Sequence, residues 1–199
     1  APIFNIYTFE LTLMCYWLPI ADFGELGITD EEGLRKDARA ILDFAVRYRK
    51  DKLDVKRKYD IFVLGRSMGG AVAIYSSTIE QFSSAVSGYI LENTFSQYLH
   101  AGIDVSAIND ILFAINSKWP SNERIGNISL PILFVRSLLD ETVPTTQMIR
   151  LMELAEGSKL KREFVIANGS HNIWWEYDVE GYFNNLSLFF EDTSQIQTS

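Results

Sequence analysis

The sequence contains little cysteine, little histidine and little positive charge, and each shortage excludes a class of protein. Among its 199 residues there is one cysteine, Cys15, so neither an intrachain disulfide nor a two-cysteine metal motif is possible. Two histidines are present, and 18 lysines and arginines stand against 26 acidic residues, for a formal net charge of −8. We therefore expect no metal site, and no nucleic acid as a partner, because nucleic acid requires a basic face.

The sequence also lacks an uninterrupted membrane-spanning run. Residues 1–21 are apolar without lysine or arginine, but Asn5, Glu10 and Pro19 interrupt them, and no basic residue precedes them. We interpret this stretch as a buried strand at 11–17 followed by a loop. The length suits one domain. We divide the chain into a divergent N-terminal segment (1–28), a core (29–191) and a frayed tail (192–199).

Apolar runs alternate with helical patterns along the chain. From Glu31 onward, apolar residues recur at helical spacing on one face: Leu34, Ala38, Ile41, Leu42, Ala45 and Val46. We predict strands and helices in alternation, with strands at 61–65, 87–93, 130–137 and 162–168, and further helices at 68–78, 103–119, 144–156 and 177–191. This alternation predicts an α/β fold with a mostly parallel sheet and helices on both faces. Ligands on such sheets bind at the carboxyl ends of the strands.

A serine stands between glycines at the end of the strand predicted at 61–65. Residues 65–69 read GRSMG, and a helix of small residues follows. Glycines on both sides permit the sharp strand-to-helix turn that exposes a nucleophilic hydroxyl, here that of Ser67. The backbone N–H of Met68 would then lie at a helix N-terminus, where it can donate to a developing oxyanion.

An acid and a base follow two later strands. Asp140 comes after the strand at 130–137, and His171 lies on a glycine-containing turn after the strand at 162–168. The order Ser67, Asp140, His171 is that of the α/β-hydrolases. If Asp140 is not the acid, Glu141 or Glu92 takes that role, with Glu92 in reserve. The other histidine, His100, lies outside this pattern.

Four segments together resemble the α/β-hydrolase domain-containing protein 13 group, the Bem-forty-six-like serine hydrolases. These segments are GRSMGGAVAIY, ILENTF, LPILFVRSLLDETVP and NGSHNIWW. The resemblance covers roughly residues 29–191. It implies Ser67 as nucleophile, Asp140 as acid and His171 as base. It also implies a membrane-associated protein whose tether lies upstream of the hydrolase domain.

The sequence departs from the family pattern near its start. The family's glycine-bearing loop after the third strand, with its His-Gly-Asn type motif, has no counterpart here, so the second oxyanion donor is absent. In the family's sheet order, the third strand lies between the strand matching 11–17 and the nucleophile strand. We expect the two flanking strands either to re-pair or to leave a gap with exposed edges. The third alternative is that the sequence is a fragment or a truncated isoform. Because one oxyanion donor contributes about 10²–10³ in rate, we expect weak activity.

The resulting hypothesis is a hydrolase of acyl esters or thioesters, in a lipid or an S-acylated protein, with no cofactor. Asp140 would orient His171, and Ser67 would form an acyl-enzyme. Apolar residues of the segment 103–119 and a tryptophan before the last helix would bind the acyl chain: Ile108, Ile111, Leu112, Ile115 and Trp174. The alternative is that these side chains pack on the sheet and anchor the last helix. Two alternatives stay open: a truncated, catalytically weak pseudohydrolase, and a serine peptidase of the prolyl-oligopeptidase type.

Overall fold

The computed structural model describes residues 14–15, 31–52, 60–97 and 118–198. They form a five-stranded sheet of order β1-β2-β3-β4-β5 in which every neighbouring pair is parallel. The strands are β1 (Met14–Cys15), β2 (Ile61–Arg66), β3 (Val86–Glu92), β4 (Ile132–Ser137) and β5 (Lys161–Ile166). The α-helices are α1 (Glu31–Lys52), α2 (Met68–Ser76), α3 (Ser121–Arg124), α4 (Thr145–Leu154) and α5 (Val179–Thr198). Short 3-10 helices occupy Glu80–Phe82, Ile125–Asn127 and Trp174–Tyr177.

Both faces of the sheet carry helices, as the sequence predicted. Successive residues of a strand point to opposite faces. Ile61 and Val63 of β2 join a buried cluster with residues of α1, α2 and α4. Phe62 and Leu64 of the same strand join a second cluster on the other face, with residues of α5. The two apolar layers bury strands β2, β3 and β4 on both sides, which is the usual environment of a parallel strand.

Helix α1 begins at Glu31, where the sequence predicted it to begin. Its predicted apolar face is the buried one: Leu34, Ala38, Leu42 and Ala45 are each at most 3% exposed. Ile41 and Val46 are half-buried at the edge of the same face. Burial of one leucine side chain contributes roughly 1.5–3 kcal/mol, so this face fixes the helix on the sheet.

Strand β1 pairs directly with β2. Met14 is opposite Val63 and Cys15 is opposite Leu64, in parallel register. The direct pairing of these two strands is one of the outcomes expected from the sequence. The remaining residues of the strand predicted at 11–17 lie outside the described residues.

The last helix extends further than the sequence predicted. We expected it to end at residue 191 and the tail to fray, but α5 continues to Thr198. The turn after residue 191 is held on two sides: Asp192 pairs with Arg162 of β5, and Thr193 is fully buried with its hydroxyl bonded to the Phe189 carbonyl. Helix α5 therefore ends seven residues later than predicted.

Residues 103–117 of the predicted helix at 103–119 lie outside the described residues. Lys118 and Trp119 precede α3 without helical structure. In the parts of the chain that the structure describes, no helix is both long enough and apolar enough to cross a membrane. The division of the chain into segments at residues 28 and 191 stays a prediction.

Candidate active site

The turn between β2 and α2 holds Ser67 in an unusual backbone conformation. Its φ and ψ are 51° and −122°, a region that non-glycine residues enter only when their surroundings impose it. The Ser67 N–H donates to the Glu92 carbonyl at 2.9 Å. Its own carbonyl accepts from the Gly70 N–H at 3.0 Å and the Thr94 hydroxyl at 2.6 Å. These bonds fix the turn to the end of β3.

Glycine is required at position 65 by close packing. A Cβ added there would lie 2.8 Å from the Gly70 Cα and closer still to the Gly69 carbonyl oxygen. The turn therefore folds back on itself more tightly than any side chain would allow. Met68 is the first residue of α2, and the first N–H groups of a helix have no intrahelical acceptor. Its N–H therefore lies at the positive end of the helix.

Asp140 and His171 are in direct contact at the carboxyl ends of β4 and β5. The Nδ1 atom of His171 lies 2.8 Å from Asp140 Oδ2 and 3.0 Å from Oδ1. Both side chains are buried, with exposed fractions of 7% for the imidazole and 1% for the carboxyl. Because an ionised carboxylate can only accept, Nδ1 carries the proton, and Nε2 keeps the lone pair that a base needs.

The loop that follows β4 fixes the orientation of the Asp140 carboxylate. Its Oδ1 accepts from the backbone N–H groups of Thr142 at 2.9 Å and Val143 at 2.7 Å. The neighbouring Glu141 accepts from the backbone N–H of His171 at 3.0 Å. Glu141 therefore contacts the backbone of the histidine, while Asp140 contacts its ring.

Arg66 joins the serine turn to the histidine loop. Its Nη1 lies 3.5 Å from the His171 carbonyl oxygen, 3.3 Å from the Asn172 carbonyl oxygen and 3.2 Å from Asn172 Oδ1. Between these two described residues, however, no hydrogen bond joins Ser67 Oγ to His171. Such bonds are often long in unliganded hydrolases and tighten when substrate binds. Asp140 and His171 are thus in contact, and Ser67 is linked to them through its neighbour Arg66.

A buried polar network at the end of β3 supports the histidine loop. Asn93 has a φ of 41°, and its amide donates to the Ser137 hydroxyl at 3.0 Å and to the Ser170 carbonyl at 3.4 Å. Its Oδ1 accepts from the Ser137 N–H at 2.9 Å. Asn93 and Ser137 are almost fully buried. Sequence reasoning missed these residues and Arg66; the only signal was that both Asn93 and Ser137 stand at predicted strand ends.

Glu92 is the alternative candidate for the acid that orients the histidine, but its carboxyl bonds to a tyrosine instead. It is the last residue of β3 and is buried, and it accepts from the Tyr182 hydroxyl of α5 at 2.6 Å. Burial raises the pKa of Glu92 from its ordinary value near 4.5 to about 7, against the opposing effects of Tyr182 and Arg66. The imidazole bonds to Asp140 and not to Glu92, which supports Asp140 over Glu92 as the candidate acid.

None of the predicted acyl-chain residues has a side chain that the structure describes, so their role stays a prediction. Ile108, Ile111, Leu112 and Ile115 lie outside the described residues. Trp174 begins the 3-10 helix that follows His171, and only its backbone is described. No group of three or more metal-ligating side chains occurs among the described residues.

Comparison with known proteins identifies curated relatives, although no family model matches the chain. The chain is 31% identical over 179 residues to alpha/beta hydrolase domain-containing protein WAV2 of Arabidopsis thaliana, covering 83% of this chain and 56% of the relative. It is 29% identical over 195 residues to protein bem46 of Schizosaccharomyces pombe, covering 96% of this chain and 62% of the relative. The chain thus spans about three-fifths of the length of these relatives.

Solved structures share the fold at low sequence identity. A sugar hydrolase of Lactococcus lactis superposes with a TM-score of 0.66 at 14% identity, over 89% of this chain and 74% of that one. An esterase of Pyrococcus furiosus gives 0.64 at 14% identity, over 79% of this chain and 62% of that one. The predicted α/β-hydrolase fold is therefore confirmed.

Proposed function

Because the chain is a Bem46-like α/β-hydrolase, we propose that it is a serine hydrolase that cleaves acyl esters or thioesters in lipids or S-acylated proteins. The observation that carries the proposal is the buried contact of 2.8 Å between His171 Nδ1 and Asp140, at the same sheet edge as the strained Ser67 turn. A histidine so held has its Nε2 free to accept a proton.

In the first step, Ser67 Oγ attacks the acyl carbonyl carbon while its proton passes to Nε2 of His171. The carbonyl electron pair moves onto oxygen, and the Met68 N–H at the start of α2 donates to that oxyanion. Asp140 stabilises the imidazolium without taking its proton. Its two bonds to the Thr142 and Val143 N–H groups keep the carboxylate in place during this change of charge.

In the second step, the carbonyl reforms and the bond to the leaving alcohol or thiol breaks. The leaving group takes the proton from His171, and the acyl group stays on Ser67 as an ester. Water then attacks this ester, with His171 as base, and releases the acid and the free serine. No metal or organic cofactor takes part in the proposed sequence. Membrane association stays a prediction from the family resemblance.

Labelling with a fluorophosphonate probe tests this proposal, because the probe reacts covalently with activated serines. We expect the parent chain to be labelled and Ser67→Ala to be unlabelled. Asp140→Asn should keep the fold and lower the labelling rate by orders of magnitude, about 10⁴ in a well-studied Ser-His-Asp enzyme. A cooperative melting transition with no labelling of the parent would contradict the proposal and favour a pseudohydrolase.

A further inference from the structure

The catalytic edge of the sheet carries an unusual concentration of exposed apolar side chains. In the described part of the chain, ten large hydrophobic residues are exposed, and six of them flank Asp140 and His171. We call these six the apolar rim: Leu138, Leu139, Ile173, Trp175, Tyr177 and Val179. Their exposed fractions run from 40% to 62%. Single exposed hydrophobic residues are ordinary, whereas a concentration of them marks an interaction surface.

The two halves of the apolar rim meet at the pair formed by Asp140 and His171. Leu138 and Leu139 directly precede Asp140, and the other four residues begin two positions after His171. Strands β4 and β5 are neighbours, and the Leu138 N–H donates to the Ile166 carbonyl at the end of β5. The rim therefore borders the proposed active site on the side of its acid and base.

The charge of this region is negative throughout. The 37 residues from Glu163 to the C-terminus include six acidic residues and no lysine or arginine. Within the apolar rim, Glu176, Asp178 and Glu180 alternate with its hydrophobic residues and are exposed. None of these three makes an ion pair with a described lysine or arginine. The surface thus combines aromatic faces with unneutralised carboxylates.

We propose that the apolar rim binds the basic segment beside the acyl group of an S-acylated protein. This inference rests on the proposed function and specifies its substrate as an acyl-cysteine flanked by lysine or arginine. Carboxylates attract the cations over several ångströms, and aromatic faces such as Trp175 and Tyr177 hold them by cation–π contact. Hydrophobic rim residues contact the first part of the acyl chain.

A bilayer is a poorer fit to the same surface. Insertion of the rim into lipid would carry Glu176, Asp178 and Glu180 toward the hydrocarbon, and an unpaired carboxylate is costly there. An anionic leaflet would also repel a protein whose formal net charge is −8. Charge complementarity therefore selects a cationic peptide over a lipid surface.

Binding to unreactive peptides tests the inference without any need for turnover. The probes are fluorescent peptides with a cysteine S-hexadecyl thioether, flanked by lysine and arginine, by serine and glutamine, or by glutamate. Fluorescence anisotropy should show the basic peptide bound at least about tenfold more tightly than the neutral one at low salt. The difference should shrink at about 0.5 M salt, where charges are screened within a few ångströms.

Charge reversal at the rim supplies the matched comparison. Glu176→Lys combined with Glu180→Lys should abolish the preference for the basic peptide. Glu80→Lys combined with Glu156→Lys changes the net charge equally at exposed positions before β3 and β5, at the opposite edge of the sheet. This control pair should keep most of the preference. Equal loss in both pairs would mean that only net charge matters, and the inference would be wrong.

Two further outcomes separate the inference from the function it rests on. If Ser67 is labelled by the fluorophosphonate but the three peptides bind alike, the docking inference fails and the hydrolase stands. If the basic peptide is preferred but Ser67 is unlabelled, the docking surface stands and the hydrolase fails. Binding to phosphatidylcholine vesicles, with no preference among the peptides, would identify a lipid surface as the occupant instead.

Discussion

Ser67 is held in a conformation that costs of order 1–3 kcal/mol, so the surrounding contacts must supply that energy. Three hydrogen bonds act on its backbone, from Glu92, Gly70 and Thr94. The glycine at position 65 allows the chain to approach the start of α2 closely enough for these bonds to form. Strain at Ser67 is therefore a property of the whole turn rather than of the serine alone.

Gly65→Ala tests this dependence directly. The new methyl group would overlap the Gly69 carbonyl, so we expect the turn to open, stability to fall by more than about 2 kcal/mol and fluorophosphonate labelling to disappear. Gly126→Ala is the milder comparison, because its methyl group would lie 3.2 Å from the Leu154 carbonyl oxygen. Chemical denaturation and labelling rate are the measurements. Normal labelling in Gly65→Ala would show that the turn tolerates a side chain there.

Glu92 gives the fold a predictable response to pH. Its carboxyl has a pKa of about 7 when folded and near 4.5 when unfolded. Between these values the folded state keeps a proton that the unfolded state loses, so stability falls as pH rises through that window. Glu92→Gln removes this titrating group. The free energy of unfolding of the variant minus that of the parent should therefore increase by about 3 kcal/mol between pH 4.5 and pH 8.

Chemical denaturation of the parent and of Glu92→Gln across that pH range measures this difference. Tyr182→Phe serves as a control, because it removes a bond that lowers the pKa of Glu92 and leaves the carboxyl buried. The pH dependence of the parent should therefore persist or strengthen in Tyr182→Phe. If the stabilities of the parent and of Glu92→Gln changed equally with pH, the raised pKa of Glu92 would be contradicted.

At the scale of elements, strands were the most predictable part of the fold. Strands β2 to β5 were predicted within about two residues at each end. For β2, β3 and β4 the reason is that a strand buried on both faces needs a continuous apolar stretch. Helix α1 was predictable from its single apolar face. The end of α5 was not, since the Asp192 pair with Arg162 and the burial of Thr193 depend on a strand thirty residues earlier in the chain.

Arg66 connects two elements that no sequence pattern relates. It ends β2, and its guanidinium bonds the backbone of the loop after β5. We expect Arg66→Met to displace that loop and to slow the labelling of Ser67 between about tenfold and a hundredfold, because small misplacements of a base cost that much. The half-exposed side chain should contribute within about 1 kcal/mol to stability.

Arg66→Lys is the informative partner variant. Lysine keeps the charge but carries it on a more flexible side chain without the rigid guanidinium plane, so its labelling rate should fall between those of the parent and Arg66→Met. Thermal melting should be similar for all three proteins. Unchanged labelling in Arg66→Met would mean that the histidine loop holds its position without this contact.

At the scale of the whole molecule, the sheet order explains why residues at the end of β3 connect the serine turn to the acid and base. The proposed acid and base follow the neighbouring strands β4 and β5, whereas Ser67 follows β2, with β3 between them. Neighbouring strands lie about 4.8 Å apart, so the serine and the acid arise about 10 Å from each other. The end of β3 spans this distance: Glu92 and Thr94 bond Ser67, and Asn93 bonds Ser137 and the histidine loop.

The residue types of the site were more predictable than their connections. Ser67, Asp140 and His171 each stand after a predicted strand, and their shared sheet edge follows from parallel topology. Their catalytic roles stay a prediction. The hydrogen bonds of Asn93 with Ser137 and of Arg66 with the His171 carbonyl join positions more than forty residues apart, so a local sequence pattern carries no information about them.

The bond that follows Arg66 gives the fold a built-in site for trypsin. Within the fold, that arginine ends a paired strand and its side chain is engaged, so the protease cannot fit the chain into its cleft. Unfolding exposes this peptide bond to trypsin. Because the next lysine or arginine is Lys118, cleavage after Arg66 and after Lys118 releases residues 67–118, with Ser67 as the new N-terminus. The rate at which this fragment appears therefore reports how often the turn around the proposed nucleophile opens.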